Sequence, residues 1–132
     1  MTAPKRHLDI VLDCQRAAPL ARFWAVALGW EVRPYDEAEV SRLAALGLTP
    51  ETDPSVAVDH PDGTMTLWLD EVPEPKQGKN RMHLDIRVRD SAHLEELLSL
   101  GARVLARQSE WWTLADPEGN EFDVMEPPGT SR

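Results

Sequence analysis

The sequence predicts an α+β fold built from two copies of one β-α-β-β-β module, and three recurrences predict it. Residues 7–13 read HLDIVLD and residues 83–90 read HLDIRVRD, so the same four letters return after 76 positions (83 − 7). Each copy is followed by a helical pattern that closes on Leu-Gly and runs into a short strand, Leu28-Gly29-Trp30-Glu31-Val32 in the first and Leu100-Gly101-Ala102-Arg103-Val104 in the second. Each copy then carries a Pro-acidic-Gly turn before its last strand, His60-Pro61-Asp62-Gly63 and Asp116-Pro117-Glu118-Gly119. Landmarks that recur in one order mark a duplicated supersecondary unit.

The elements follow in turn. In residues 7–13, Leu8, Ile10 and Leu12 alternate with His7, Asp9, Val11 and Asp13, the period of a strand with one face on a core. Leu20, Phe23, Trp24, Ala27 and Leu28 then recur at helical spacing. Gly29 supplies the left-handed residue that ends such a helix. Residues 34–54 are an insertion with no counterpart in the second copy. Within it, residues 36–47 begin acidic and stop at Gly47, which reads as an extra helix, and TPETDP follows as a loop. Strands are expected over 55–59 and 64–70. Residues 72–80, VPEPKQGKN, cannot sit in a central strand and read as a linker. The second copy opens with Leu84, Ile86 and Val88 on its apolar face. It continues with a helix capped by Asp90 and striped by Leu94, Leu97 and Leu98, then strands over 103–106, 111–115 and 121–126.

Composition narrows the function. The chain has 132 residues and 42% hydrophobic content, enough for a core without staples. Its 23 acidic and 14 basic residues give a net charge of −9, which disfavours nucleic acid and anionic membrane surfaces as partners. One cysteine, Cys14, excludes an internal disulfide framework and fits a reducing cytoplasm. No run of apolar residues is long enough for a signal sequence or a membrane span.

Paired modules carrying HLDIVLD, FWAVALGWEV and DPEGNEFDV resemble the vicinal oxygen chelate superfamily, which includes glyoxalase I, bleomycin- and fosfomycin-resistance proteins and extradiol dioxygenases. Residues 67–85 are similar to its small bacterial glyoxalase-like members. The resemblance runs over residues 5–127. It implies one glyoxalase-like domain over 1–132, with module one at 5–71, a linker at 72–80 and module two at 81–127. Their curved mixed sheets would enclose a shared cleft.

The resemblance also implies a site. Its metal ligands stand at the first residue of each opening strand and in each last strand, which carries over to His7, His83 and Asp123. Aligning the two Pro-acidic-Gly turns sets Leu67 opposite Asp123, leaving a fourth corner apolar, while Asp70 has the parity of the outward face. Two imidazoles and one carboxylate suit Zn, Ni, Mn or Fe with open positions for substrate. Asp9 and Asp85 follow the histidines by two residues, either as carboxylates that orient them or act as base, or as part of a solvated face. Arg87 shares that face, as an anion clamp or as a neutralising partner for Asp85 or Asp9. The chain has five tryptophans. Trp24 belongs to the helix stripe, and Trp68, Trp111 and Trp112 are candidates to line a ligand cavity. Trp111 and Trp112 are adjacent, so one of them should pack under a helix. His60 and His93 read as surface residues, and Cys14 as a buried inert thiol.

Three functions fit this set. The first is a divalent-metal lyase or related enzyme acting on a vicinal-oxygen substrate. The second is a metal-free binding or drug-sequestration protein of the bleomycin-resistance type. The third is an extradiol-type dioxygenase. All three take a small-molecule ligand, and exposed sheet edges predict a C₂ homodimer.

Overall fold

The computed structural model describes residues 6–125. The chain divides into two units, residues 1–75 and 76–132, one for each copy of the repeat.

The first unit contains β1 (Leu8–Cys14), α1 (Ala17–Leu28), β2 (Glu31–Val32), α2 (Glu37–Ala45), β3 (Ser55–Asp59) and β4 (Met65–Glu71). Its sheet runs β1-β4-β3-β2, with β1 parallel to β4 and the other pairs antiparallel. Cross-strand partners share a face, so register separates core from site. The rows Ile10-Leu67-Val58-Val32 and Leu12-Leu69-Val56 lie on one side. There α1 packs on β3 and β4 and buries Leu20, Phe23, Trp24 and Ala27. Phe23 and Trp24 meet edge to face at 5.4 Å. The rows Asp9-Thr66-Asp59-Glu31, Val11-Trp68-Ala57 and Asp13-Asp70-Ser55 form the opposite, polar side. Arg16 gives α1 no side-chain cap; instead the Ala17 N–H donates to Glu71 Oε2 at 3.0 Å. Gly29 ends the helix at φ 70° as expected.

The inserted segment forms α2. Asp36 caps it by accepting from the Glu39 N–H at 2.8 Å, and Leu43 is buried beneath it. Two side-chain contacts fasten the segment to its surroundings and a third closes it on itself. Arg22 of α1 pairs bidentately with Glu51 at 2.8 and 3.0 Å. The Tyr35 hydroxyl donates to the buried Asp53 at 2.7 Å, and Asp53 accepts the Ser55 N–H at 3.0 Å.

The second unit repeats the plan with β5 (Asp85–Arg87), α3 (Ser91–Ser99), β6 (Arg103–Arg107), β7 (Trp112–Ala115) and β8 (Glu121–Met125), in the order β5-β8-β7-β6. β5 is again parallel to β8. This strand is shorter than the sequence suggests, although the Val88 N–H to Met125 and Asp123 N–H to Leu84 bonds extend the pairing at both ends. Ile86-Val124-Trp112 and Phe122-Leu114-Val104 form the apolar side. The strand expected over 121–126 is seen to Met125, and residue 126 lies outside the described residues.

His93 corrects the sequence reading. It is 4% exposed, not a surface residue. Its N–H donates to Asp90 Oδ1 at 2.9 Å, and its Nδ1 accepts the Arg89 N–H at 3.1 Å. The imidazole thus serves two purposes in the first turn of α3, filling space and satisfying a backbone donor that periodicity does not count. His60 is half-buried against Trp30, with ring centroids 5.1 Å apart.

Candidate functional site

In the second unit, the polar face gathers three metal-ligating side chains. Register pairs Asp85 of β5 with Asp123 of β8, and Asp123 in turn with Thr113 of β7. His83 stands two residues before Asp85, on the same side. Its Nδ1 lies 3.0 Å from Asp85 Oδ1 and 3.7 Å from Asp123 Oδ2. One donor atom from each of His83, Asp85 and Asp123 falls within 4.8 Å of the others. An ion about 2.0–2.2 Å from each donor can join donors up to about 4.4 Å apart, and the distances of 3.0 and 3.7 Å from His83 Nδ1 to the two carboxylates lie inside that limit. Thr113 holds the inner carboxylate, its hydroxyl donating to Asp123 Oδ1 at 2.9 Å. The Asp123 side chain is 16% exposed, against 43% and 49% for His83 and Asp85, so the cluster opens from an anchored base toward solvent.

The first unit carries a different arrangement at the matching positions. His7 Nδ1 lies 3.0 Å from the Gly63 carbonyl, which can only accept, and Nε2 lies 3.0 Å from Asp9 Oδ1. Two accepting partners favour the form of the ring in which both nitrogens carry a proton. The Gly63 carbonyl first, and the Asp9 carboxylate second, raise its pKa above the usual histidine value. Asp9 also accepts the Trp68 indole N–H at 3.0 Å, and that bond leads the one to His7 in holding its carboxyl below the ordinary range. Arg33, just past β2, lies 5.0 Å over the Trp68 ring. It forks onto Asp59 through Nε at 2.8 Å and Nη2 at 2.9 Å. That pair lowers the Asp59 pKa, with the Thr66 hydroxyl at 2.7 Å assisting.

A cavity of 240 Å³ opens beside this network. Tyr35, Glu39 and Arg42 of the insertion form one wall, and Arg33, Ser55 and Trp68 line the other. A second hollow of 360 Å³ lies beside Trp30, Glu31 and His60, and Arg33 borders both.

The structure reassigns two positions in β4. Leu67 is 1% exposed and sits in the core row, not at a corner of a polar site. Asp70 shares the polar face with Asp13 and accepts the Ser55 hydroxyl at 2.7 Å. The cause is a one-residue difference between the two hairpins. The His60 N–H pairs with the Met65 carbonyl across four intervening residues, whereas the Asp116 N–H pairs with Asn120 across three. Aligning the turns by their letters slips the strand by one, and a one-residue slip exchanges the faces. Register against the opening strand makes Thr66 the counterpart of Asp123, since Asp9 pairs with Thr66 and Asp85 with Asp123.

Of the other candidates, Arg87 lies on the polar face, paired with Met125. Trp112 belongs to the apolar row. Arg107 lies 4.9 Å over its ring, and its buried indole N–H has no hydrogen-bond acceptor among the described residues. Trp111 precedes β7 and is half-buried. The sequence reading missed Arg33, Asp59 and Thr113. Counting outward from the Asp116–Asn120 turn would have placed Thr113 opposite Asp123. Arg33 lies past a two-residue strand and leaves no such signal.

Comparison with known proteins agrees with this architecture. A family model described as Glyoxalase-like domain matches residues 9–125. No curated protein matches the chain. Among solved structures, a glyoxalase family protein from Bacillus cereus aligns with a TM-score of 0.60 at 13% identity, over 95% of this chain and 95% of that one. A glyoxalase-related enzyme from Fulvimarina pelagi gives 0.60 at 15% identity, over 95% and 90%. A fosfomycin resistance protein from Listeria monocytogenes gives 0.57 at 13% identity, over 96% and 93%.

Proposed function

The chain belongs to the glyoxalase-like domain family, and on that premise we propose that it is a small-molecule enzyme dependent on a divalent metal held in module two. The observation that carries the proposal is the cluster of His83, Asp85 and Asp123, whose donor atoms lie within 4.8 Å of one another. Bound there, Zn, Ni, Mn or Fe would supply Lewis-acid chemistry to a substrate bearing vicinal oxygens. Asp123 and His83 are the ligands. Asp85 is either a third ligand or the base beside them, since it already contacts the His83 ring. Asp9 orients His7 and Trp68, and its lowered pKa makes it a weak base. Arg87 and Trp111 are assigned to ligand contacts in module two, whereas Trp112 packs in the apolar row and Trp68 lines the cavity of module one.

A second reading, the metal-free binding protein, is favoured by one observation. Module one has Thr66 where module two has Asp123, and both nitrogens of His7 already have accepting partners.

Homodimer formation belongs to the proposal as well, supported by sheets that end on β1, β2, β5 and β6. So does a cytoplasmic location, supported by a single, buried cysteine, Cys14. No described helix is long and apolar enough to cross a membrane.

Calorimetric titration of chelator-stripped protein, purified without a metal column, with Mn²⁺, Ni²⁺ and Zn²⁺ tests the reading. One ion per chain is expected, with binding abolished in His83→Ala and Asp123→Ala. Wild-type protein that takes up none of these ions would turn the assignment to the binding protein.

A further inference from the structure

We infer that Thr113 is a positioning residue for the metal ligand Asp123, an inference that rests on the metal-dependent reading above. A free carboxylate beside a cation can bind through one oxygen or both. Here the Thr113 hydroxyl donates to Oδ1 at 2.9 Å, while Oδ2 is the oxygen directed at His83, 3.7 Å from its Nδ1. Occupying Oδ1 leaves Oδ2 as the oxygen offered to the ion. With its rotation fixed in this way, the Asp123 carboxylate would present Oδ2 to an ion beside His83. Thr113 and Asp123 are direct cross-strand partners on β7 and β8, so both backbones are fixed by the ladder. The β-branched threonine side chain adds little freedom of its own.

Module one shows the same device with its cation in place. There the two residue types exchange strands, with Thr66 on β4 and Asp59 on β3, and they are again direct partners. The Thr66 hydroxyl donates to Asp59 Oδ1 at 2.7 Å, and Arg33 forks onto both oxygens, Nε–H to Oδ2 at 2.8 Å and Nη2–H to Oδ1 at 2.9 Å. In each module a threonine hydroxyl from the facing strand therefore fixes the rotation of a carboxylate, and in module one that carboxylate faces a positive charge. In module one that charge is a guanidinium built into the chain. In module two no lysine or arginine is paired with Asp123 among the described contacts, and the ion takes the equivalent place. Residues that hold a ligand by its free atom commonly change metal affinity by about 10- to 100-fold.

The test compares wild type with Thr113→Val, which keeps shape and strand propensity but lacks the donor, and Thr113→Ser, which keeps the donor. Calorimetry with Mn²⁺ gives affinity, and the visible spectrum of the Co²⁺-loaded protein reports coordination number. Far-UV circular dichroism checks folding. The expected result is an affinity loss of about 10- to 100-fold in Thr113→Val, a changed Co²⁺ spectrum, and recovery of both in Thr113→Ser. If wild type binds and Thr113→Val matches it in affinity and spectrum, the positioning role fails and the metal reading stands. A serine variant as weak as the valine one also overturns the role, because the effect would then come from packing. Wild type that binds no ion overturns both.

Discussion

Replacing Asp116 with alanine should cost module two a large part of its stability, because one carboxylate serves the whole turn that leads into β8. Asp116 has no solvent exposure. Its Oδ1 accepts the Glu118 N–H at 2.8 Å and the Asn120 N–H at 3.0 Å. The Asn120 side-chain amide reaches Oδ1 at 3.1 Å and Oδ2 at 2.9 Å. Glu118 is half-exposed, so water can replace the bond to its N–H. Asn120 is 6% exposed, so its backbone N–H and its amide would both be stranded. A buried donor left unpaired costs about 1–3 kcal/mol. Two of them, partly relaxed, give about 2–4 kcal/mol for Asp116→Ala, against a total stability of about 5–15 kcal/mol. The melting temperature should fall by roughly 10 °C. Asp116→Asn should be far milder, about 1 kcal/mol. The new side chain keeps one acceptor oxygen, and Asn120 can turn its amide over to accept from the other end. Urea unfolding of the three proteins by far-UV circular dichroism, compared at constant slope, measures the differences. An alanine variant within about 0.5 kcal/mol of wild type, the range of an inert surface change, would refute the argument. An asparagine variant as costly as the alanine one would place the effect in charge rather than in acceptors.

Two further outcomes follow from titrating groups. In chelator-treated protein, NMR should find the His7 midpoint above 6.5, with Asp9→Asn moving it down. The raised value means that the stabilising bonds are complete below the unfolded pKa and are lost as pH rises through the folded one; a midpoint at or below 6.5 would show that Gly63 and Asp9 do not both accept from the ring. The chain has one tyrosine, so absorbance at alkaline pH reads Tyr35 alone. Burial first, and the bond to Asp53 second, push its pKa above 10.0. The stability linked to its proton should therefore be complete below the ordinary phenol pKa and be lost progressively as pH rises from there through the higher folded value. Ionisation near 10 in folded protein would count against that environment.

The repeat, the element order and the core were legible because each rests on local chemistry. Alternation in HLDIVLD and HLDIRVRD marks two opening strands, and Gly29 marks a helix end that the backbone adopts at φ 70°. The stripe of Leu20, Phe23, Trp24 and Ala27 announces the buried face of α1. The insertion reads as a helix because Asp36 caps it and its first turn is acidic. His83 and Asp123 were nameable as candidates because each lies on the polar side of an alternating strand.

What the letters do not carry is register between strands. Two turns with the same Pro-acidic-Gly signature differ by one residue in length, and that residue takes Leu67 off the polar face: counted from the turns Trp68 answers Asp123, and counted from the opening strands Thr66 does. The side chain of His93 is buried for the sake of an N–H in the preceding loop, a need that helical periodicity leaves out. Thr113 and Arg33 acquire their partners only when β7 lies beside β8 and the end of β2 beside β3. Alternation along a strand says which side chains share a face. Hydrogen bonding between strands decides which of them stand opposite one another, and the donors and charges of this site are made by that pairing.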